Sequence, residues 1–300
     1  MTNGLPVGAS VTPVILTYNE APNIGRTLDA LRWADRVVVV DSGSADATES
    51  IARQFPNVAW FTRPFDSHQA QWTYAIRETG IDTEYVLALD ADYRVPPAFV
   101  DECRMRFVPG GYDGGIASFD YEVLGRTLMG SVYPSKPVIF RPAHLRIEQP
   151  GHSQEMRVDG KTYVFEAHLV HDDRKPVSRF VTSQIEYSRL EAQRLANGGS
   201  RWQDAVRRTG IMPLIAGVGA YLKAGGPLRG RSALRYAYER LLFECMLAMR
   251  VLERPPESDA ASRTREHAIA RDGLATASSG VMSTRQEAVD PKTDRAEKTR

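Results

Sequence analysis

The segment YVLALDAD occupies residues 85–92 and places an apolar run directly before two aspartates. We predict a β-strand over Tyr85–Leu89, followed by a loop that begins at Asp90. Side chains two residues apart on an extended chain point to the same side, so Asp90 and Asp92 can present their carboxylates together beyond the strand end. Hard oxygen ligands of this kind suit Mg²⁺ or Mn²⁺, whereas a solvated turn is the alternative without a function.

The region before this segment alternates short β-branched runs with helical patterns. This alternation is typical of βαβ units and predicts an α/β fold with a mostly parallel sheet flanked by helices. In such sheets, ligands bind in the crevice at the carboxyl ends of the strands. The predicted strands are Val11–Thr17, Arg36–Val40 and Val58–Thr62, and the predicted helices are Ala21–Trp33, Asp46–Gln54 and Asp66–Thr79.

The second half of the chain has a less regular pattern and ends in helices. We interpret its strand-like runs as a mixed-sheet half that closes over the site. These runs are Gly115–Val123, Pro137–Arg141, Val158–Phe165 and His168–Val170, after a predicted helix over Pro96–Phe107. Helical patterns then cover Val177–Ala196, Arg201–Thr209, Ile211–Leu222 and Arg231–Leu252. Pro255–Arg300 is expected to be disordered, because it has almost no large apolar side chains to bury.

Composition and charge exclude several classes of protein. The 38 basic and 37 acidic residues leave a net charge of +1, so no global field attracts nucleic acid. Cys103 and Cys245 lack metal-ligand spacing and make no disulfide framework, which favours a reducing cytoplasm. The N-terminus does not have the pattern of a signal peptide. The longest nearly apolar run, Ile211–Leu222, is shorter than the roughly 20 residues that span a bilayer.

A second polar motif, DSGSADAT at residues 41–48, follows the second predicted strand. Gly43 allows a tight turn, and Ser44 or Asp46 can cap the next helix by accepting a backbone N–H bond. Capping does not explain Asp41. Its carboxylate can accept a hydrogen bond from a base N–H or a ribose hydroxyl.

A third motif, LTYNE at residues 16–20, ends the first predicted strand. Tyr18 offers an aromatic edge, and Asn19 and Glu20 offer polar groups, so that the three side chains can surround a base and its ribose. Asn19 can equally serve as a plain helix cap.

These motifs follow successive predicted strands in the order TYNE (17–20), DSGSADAT (41–48) and DAD (90–92). In this arrangement they resemble the hallmark elements of glycosyltransferase family 2 enzymes with the GT-A fold, over residues 10–175. The resemblance implies that Asp90 and Asp92 handle the ribose, the diphosphate and a divalent metal, Mg²⁺ or Mn²⁺. It also implies that a nucleotide, usually of uridine, is held by the motif side chains, with the candidates Thr17, Tyr18, Asn19, Glu20, Asp41 and Ser44.

A narrower resemblance is to the branch of lipopolysaccharide-core β-glucosyltransferases, and it rests in part on RPFDSHQAQW at residues 63–72. It implies that Arg63, His68 and Gln71 line the donor site. His68 and Gln71 can equally be exposed helix residues.

The same narrower resemblance rests also on HDDRK at residues 171–175. It implies that His171 lies near the metal or the diphosphate, and that Arg174 or Lys175 contacts phosphate. Without the resemblance, this segment is a charged turn before a helix.

An inverting transfer needs a base that takes the proton of the acceptor hydroxyl. Enzymes of this family usually place an acidic residue for this task in the second half, and the corresponding stretch here is PGHSQEMRVDG at residues 150–160. The expected acidic position falls on Gln154, which cannot act as a base, so Glu155 and His152 become the candidates. If Gln154 and Met156 share a strand face, Glu155 points the other way.

The helical region has two features that bear on partners. Basic residues bracket Ile211–Leu222, as an interfacial helix on anionic lipid would need. Packing on the catalytic domain or on a second subunit of a homo-oligomer is the other interpretation. Within Arg231–Leu252, apolar residues recur at helical spacing and predict a buried face made of Leu234, Tyr238, Leu241, Cys245, Ala248 and Leu252.

The residues and the resemblance together predict a metal-dependent inverting glycosyltransferase with a nucleotide-sugar donor, a UDP-sugar by the resemblance, and a cell-surface glycan or lipid-linked acceptor. The predicted organisation is a catalytic domain over 1–175 (nucleotide-sugar half 10–95, acceptor half 96–175), a helical extension over 176–254 and a tail over 255–300. The expected location is cytoplasmic, with peripheral contact to the membrane. A catalytically silent nucleotide- or glycan-binding module and a nucleotide-sugar hydrolase or nucleotidyltransferase remain alternatives.

Overall fold

The computed structural model describes residues 7–148, 155–197 and 202–253 of the 300-residue chain. Its strands are β1 Val11–Thr17, β2 Val37–Asp41, β3 Val58–Thr62, β4 Tyr85–Asp90, β5 Tyr93–Arg94, β6 Gly114–Ala117, β7 Phe119–Val123, β8 Arg126–Thr127, β9 Lys136–Phe140, β10 Leu145–Glu148, β11 Glu155–Val158, β12 Thr162–Val164 and β13 Leu169–His171. Its helices are α1 Val7–Ser10, α2 Ile24–Asp29, α3 Thr48–Ala52, α4 His68–Arg77, α5 Pro97–Glu102, α6 Val177–Ala196, α7 Trp202–Arg208, α8 Met212–Lys223, α9 Gly226–Arg229 and α10 Arg231–Leu252.

A seven-stranded sheet in the order β12-β6-β9-β4-β1-β2-β3 forms the centre of the protein. β4, β1, β2 and β3 run parallel, whereas β9 is antiparallel to both β4 and β6. The first four predicted strands are confirmed to within one residue at each end. Their side chains explain this agreement, because Val37–Val40 and Tyr85–Leu89 are buried throughout, as strands covered on both faces must be.

The helices of the first half cover this sheet and are shorter than the sequence predicts. α4 begins after Ser67, whose hydroxyl accepts a hydrogen bond from the Ala70 N–H at 3.1 Å. It is followed by Gly80, which has a φ of 69°. α5 continues as a π-helical turn over Cys103–Phe107. The predicted α/β architecture, with a mostly parallel sheet, flanking helices and a helical C-terminal region, is confirmed.

Two predicted strands in the second half are wrong. The run Gly115–Val123 divides into β6, which joins the large sheet, and β7, which joins a four-stranded sheet of order β5-β13-β7-β8. The run Val158–Phe165 is interrupted at Gly160, whose φ of 107° takes the chain out of the extended conformation. The tail predicted over Pro255–Arg300 lies outside the described residues.

The C-terminal helices are held together by a network of ion pairs between α6, α7 and α10. Arg207 bonds Glu191 at 2.8 Å and Glu244 at 2.6 Å, and Arg194 bonds Asp204 at 2.6 Å. The three acidic residues are buried. Such a network stabilises the helices only while every charge keeps its partner.

The buried face of α10 differs from the predicted one. Tyr238 and Leu252 are exposed, whereas the helix buries Ser232, Ala233, Tyr236, Ala237, Glu244 and Leu247. The helix was therefore predicted correctly, but the face predicted to be buried was wrong. Small side chains let a neighbouring helix approach closely, and Glu244 is buried because it pairs with Arg207.

Candidate active site

The predicted site residues of the first three motifs meet at one edge of the large sheet. Thr17 is opposite Asp41 in the pairing of β1 with β2, and Leu16 is opposite Asp90 in the pairing of β1 with β4. The carboxyl ends of parallel strands lie at the same edge, so the motifs that follow them are brought together. Thr17 is buried, and its hydroxyl has no hydrogen-bond partner among the described residues.

Asp41 is the centre of the turn that follows β2. Its Oδ2 accepts hydrogen bonds from the backbone N–H groups of Gly43 at 2.9 Å and Ser44 at 2.7 Å. Its Oδ1 accepts from the Ser44 hydroxyl at 2.5 Å. Gly43 has a φ of 91°, which a tight turn of this kind requires. Asp41 therefore has a structural role in its own loop, which the sequence did not indicate.

Asn19 joins the first loop to the second. Its backbone N–H donates to the Ser44 hydroxyl at 2.7 Å, and its Oδ1 accepts from the Ala45 N–H at 2.7 Å. Asn19 has a φ of 54°, a left-handed conformation that Asn tolerates better than most residues. Tyr18 beside it is half exposed, with the Arg179 guanidinium 5.5 Å from its ring centroid. The aromatic ring at the edge of the site is thus open to a ligand.

Two of the residues predicted from the segment 63–72 are fixed by their own neighbours. Gln71 is fully buried and donates to the Ser42 hydroxyl at 2.9 Å. It also accepts from Arg63 at 2.8 Å, and Arg63 in turn forms a two-point ion pair with Asp66. Gln71 therefore fastens α4 to the Asp41 turn.

His68 is the first residue of α4, and its side chain is exposed. Partial desolvation lowers the pKa of His68, and the charge of Asp90 opposes that shift. His68 therefore lies within electrostatic range of Asp90.

A lysine that the sequence analysis did not single out lies beside Asp90. The Lys136 ammonium is 3.4 Å from Asp90 Oδ2 and donates to the Tyr93 hydroxyl at 2.7 Å. Burial disfavours its charged form, but the Asp90 carboxylate and the Tyr133 hydroxyl together outweigh this effect and raise the pKa of Lys136 to about 12. Burial would raise the pKa of Asp90, yet Lys136 and the Tyr93 hydroxyl hold it below its usual value. The site therefore contains a fixed positive charge.

Lys136 is missing from the motifs because it is recognisable only in three dimensions. It opens β9, 46 residues after Asp90 in the sequence, and no pattern of spacing links the two. Tyr93 and Tyr133, whose hydroxyls bond each other, complete its surroundings. A lone lysine before an apolar strand is the only sequence signal.

Asp92 lies deeper than Asp90 and faces a second lysine. Its Oδ2 is 3.7 Å from the Lys175 ammonium, which also pairs with Glu20 at 2.7 Å. Burial raises the pKa of Asp92 to about 7 against the opposing charge of Lys175, and the carboxylates of Asp90 and Asp173 add to the rise. Burial likewise raises the pKa of Glu20. This part of the site holds more negative charge than its single lysine balances.

His171, at the end of β13, lies near Asp92. Its Nε2 lies 3.8 Å from Asp92 Oδ2, and its ring stacks on Tyr121 with centroids 4.5 Å apart. Burial lowers the pKa of His171 to about 4. The imidazole is therefore neutral near pH 7, which is the form that binds metals.

The predicted metal ligands are close together but do not form a ready-made cage. Within residues 7–148, 155–197 and 202–253, no group of three or more His, Cys, Asp or Glu side chains is arranged to hold a metal ion. Asp92 Oδ1 and His171 Nδ1 are nevertheless buried without a hydrogen-bond partner. A buried carboxylate oxygen without a donor fits a hard cation. Asp90 and Asp92 therefore fit a divalent metal as oxygen ligands.

The segment after His171 closes the site by contacts with the turn before α2. Arg174 donates its backbone N–H to Asn23 Oδ1 at 2.9 Å, and the Asn23 amide donates to Asp173 Oδ1 at 2.9 Å. Asp172 is buried and bonds Arg26, and its carboxylate also lies 2.9 Å from the Arg174 guanidinium. The Arg174 side chain is half exposed, so one face of it remains open to an anion.

The structure describes one of the two candidate bases. Glu155 begins β11 and is paired with Glu148, whereas His152 and Gln154 lie outside the described residues. Among the acidic residues that could substitute for them, Asp120 bonds His168 at 2.8 Å, and Asp172 is surrounded by arginines. The carboxylate of Asp172 is thus occupied by ion pairs, which leaves it poorly placed to meet an acceptor hydroxyl.

Known proteins similar to this chain are glycosyltransferases. The family model described as Glycosyl transferase family 2 matches residues 12–168. Glycosyltransferase AglE of Haloferax volcanii is 39% identical over 88 residues, which are 27% of this chain and 28% of that protein. An uncharacterized glycosyltransferase of Rickettsia felis is 24% identical over 211 residues, 64% of this chain and 72% of that protein. The alignment thus spans little more than a quarter of the length of AglE.

Among solved structures, S. aureus TarS residues 1–349 in complex with UDP-GlcNAc superposes with a TM-score of 0.43 at 17% identity, over 80% of this chain and 90% of that one. A similarity at this level carries no conclusion about what this chain binds.

Proposed function

This chain belongs to glycosyl transferase family 2, and from that premise we propose that it transfers a sugar from a UDP-sugar to an acceptor hydroxyl with inversion at the anomeric carbon. Glycosyltransfer itself follows from the family. The donor, the stereochemistry, the metal and the acceptor are our proposal. One observation carries it: two aspartates and two lysines meet at the carboxyl edge of the sheet, and the deeper aspartate has an unpaired buried oxygen.

The nucleoside would bind at the ends of β1 and β2. Thr17 supports this because its buried hydroxyl has no partner, and Tyr18 supports it because its ring is open beside the same edge. Asp41 uses one lone pair of Oδ1 and two of Oδ2 in its own turn, which leaves Oδ1 able to accept one more hydrogen bond. A base N–H or a ribose hydroxyl would supply that donor.

The diphosphate would lie over Asp90 and Asp92. A divalent metal held by these two carboxylates would neutralise the phosphate oxygens and favour departure of the nucleoside diphosphate. Lys136 and Lys175 would supply further positive charge to the leaving group, since both ammonium groups face the site. Arg174, with its half-exposed guanidinium, would reach the same oxygens.

In the transfer step, the acceptor oxygen would form a bond to the anomeric carbon while the bond from that carbon to the diphosphate oxygen breaks. The proton of the acceptor hydroxyl would pass to a base on the opposite face, for which Glu155 and His152 remain the candidates. The acceptor class that we propose is a cell-surface glycan or a lipid-linked sugar. The site would act on the cytoplasmic side of a membrane.

The nucleotide assignment can be tested by calorimetry of UDP and GDP binding to the full chain, with Mg²⁺ or Mn²⁺ and with a chelator. We expect UDP to bind more tightly than GDP, to need the metal, and to bind at least about tenfold more weakly to Asp41→Asn, because the amide changes both charge and hydrogen-bonding capacity. Asp101→Asn, at an exposed residue of α5, is the control. Metal-independent binding, or equal binding of GDP, would contradict the proposal.

A further inference from the structure

A row of exposed apolar side chains runs along one face of α8. Its members are spaced three and four residues apart, so they lie on a single side of the helix. Each is at least half exposed, and they are Ile211, Leu214, Ile215, Val218 and Leu222. Five large apolar side chains in one contiguous row exceed the scattered exposure that is normal for a protein surface.

The opposite face of α8 is anchored, so the row cannot turn inward. Pro213 and Ala220 are buried, and an atom added at Gly217 would lie 3.4 Å from the Leu241 side chain of α10. Ala220 and Ala224 belong to a buried cluster with Val123 of β7. The exposed row is therefore a fixed outer surface.

Elements next to α8 also expose large apolar side chains. Leu228 of α9 is 75% exposed, and Met129 is 61% exposed. Met129 is next to α8 because its backbone N–H donates to the carbonyl of Ala224 at 3.1 Å. On α10, Tyr238 is exposed and lies on the same side as Leu241, which contacts α8. Large apolar side chains are thus exposed on several elements near α8.

The charges on the segment that carries the row have one sign. Residues 205–238 contain no aspartate or glutamate. Lys223, Arg229 and Arg231 follow the row and make no ion pair within the described part of the chain, whereas Arg207 and Arg235 are paired. Lys223 and Arg231 are exposed. An apolar strip is thus flanked by cations without acidic partners.

We propose that this surface docks the protein on a lipid bilayer with anionic headgroups. The apolar row would enter the boundary between headgroups and acyl chains, and the three cations would contact headgroup phosphates. Among the described residues, no helix is long and apolar enough to cross a membrane, so the contact is made from one side. Charge also argues against a second copy as the occupant. In a two-fold dimer the patch would meet itself, and these cations would face like charges.

The surface is connected to the candidate site by direct contacts. The Tyr236 hydroxyl of α10 accepts a hydrogen bond from the Val132 N–H at 2.7 Å, one residue before Tyr133. Tyr121 of β7 contacts Tyr236 and stacks on His171. Docking would therefore hold the acceptor half of the site near the lipid surface, a consequence that rests on the proposed function, whereas the docking itself does not.

Vesicle flotation of the full chain tests the proposal. We expect the protein to float with vesicles of phosphatidylcholine and phosphatidylglycerol and to bind pure phosphatidylcholine much more weakly. Leu214→Glu with Val218→Glu should weaken binding at least about tenfold, and Lys223→Glu with Arg231→Glu should do the same, since both apolar burial and lipid charge contribute. The matched control is Met105→Glu with Val164→Glu, at exposed apolar positions elsewhere, and should bind like the wild type.

Three results would overturn the proposal. The first is a wild-type protein that stays with the buffer in both vesicle types, and the second is a control that loses binding as strongly as the α8 variant. The third is a wild-type protein that does not bind vesicles but forms a dimer in light scattering, when Leu214→Glu converts that dimer to monomers. UDP binding in vesicle-free buffer is measured on the same variants, and it should be unchanged. If the wild-type protein does not bind UDP, that result counts against the proposed donor and not against docking.

Discussion

Replacing Asp92 with asparagine should stabilise the metal-free protein at alkaline pH while it removes transfer activity. The buried carboxylate has a pKa raised from 3.8 to about 7, so the folded state resists its ionisation. A raised pKa contributes stability that is fully present below the unfolded value of 3.8 and is lost as the pH rises through 7. Asparagine resembles the protonated acid in size and charge, and it keeps that stability at every pH.

The magnitude follows from the shift. Each unit of pKa corresponds to about 1.4 kcal/mol, so the substitution should raise the free energy of unfolding by about 2 kcal/mol at pH 5 and by about 4 kcal/mol at pH 8. Near pH 4 the two proteins should be equally stable. Lys175 keeps its partners Glu20 and Asp173 in the variant, so no unpaired ammonium is left behind.

Urea denaturation with a chelator present, at pH 5 and at pH 8, measures this difference. Asp101→Asn is the control. This exposed carboxylate pairs with Arg104 at the surface, and its loss should change the free energy of unfolding by less than about 1 kcal/mol at both pH values. If Asp92→Asn were less stable than the wild type at pH 8, or if its advantage did not grow with pH, Asp92 would not be a strained buried acid. Transfer by the variant at the wild-type rate would refute its place in the active site.

Three further substitutions probe other parts of the molecule. Lys136→Met should weaken UDP binding, measured by calorimetry, at least about tenfold, because a charge-assisted contact to the diphosphate is lost. The control is Lys161→Met, since Lys161 also lies over a tyrosine ring, and it should leave UDP binding unchanged. Glu155→Gln should lower the transfer rate by about 10²- to 10⁴-fold with donor affinity kept, and His152→Ala should do less; the opposite ranking would make the histidine the base. Arg207→Met should lower the free energy of unfolding by about 3–5 kcal/mol, because it leaves buried carboxylates unpaired; a change under 1 kcal/mol would show that the network is dispensable.

The first half of the fold could be predicted because its signals are local. Val37–Val40 are apolar in sequence and buried in the sheet, and each motif directly follows its strand, so the strand ends fix where Asp41 and Asp90 lie. The domain limits and the ligand roles of the individual residues remain predictions. The fold settles only where these residues lie.

The remaining features depend on contacts between distant parts of the chain. Lys136 meets Asp90 across 46 residues, and Asp172 meets Arg26 across 146. No periodicity encodes such pairs. The buried face of α10 could not be predicted from the sequence either. Ala233 and Ala237 are buried because they fit the shape of the neighbouring helices, and not because of their own hydrophobicity.

The contacts between the turn before α2 and the segment after β13 have a consequence for biosynthesis. Glu20 pairs with Lys175, 155 residues later, and Asn23 bonds Asp173 across 150 residues. At about 5–20 residues per second, a ribosome needs roughly 8–30 s to synthesise the chain between these partners. Throughout that time the nascent chain carries Glu20 without the lysine that pairs with it. An unfinished polypeptide released from the ribosome before residue 175 would therefore lack part of the charge balance of the site, whatever its sheet had already formed.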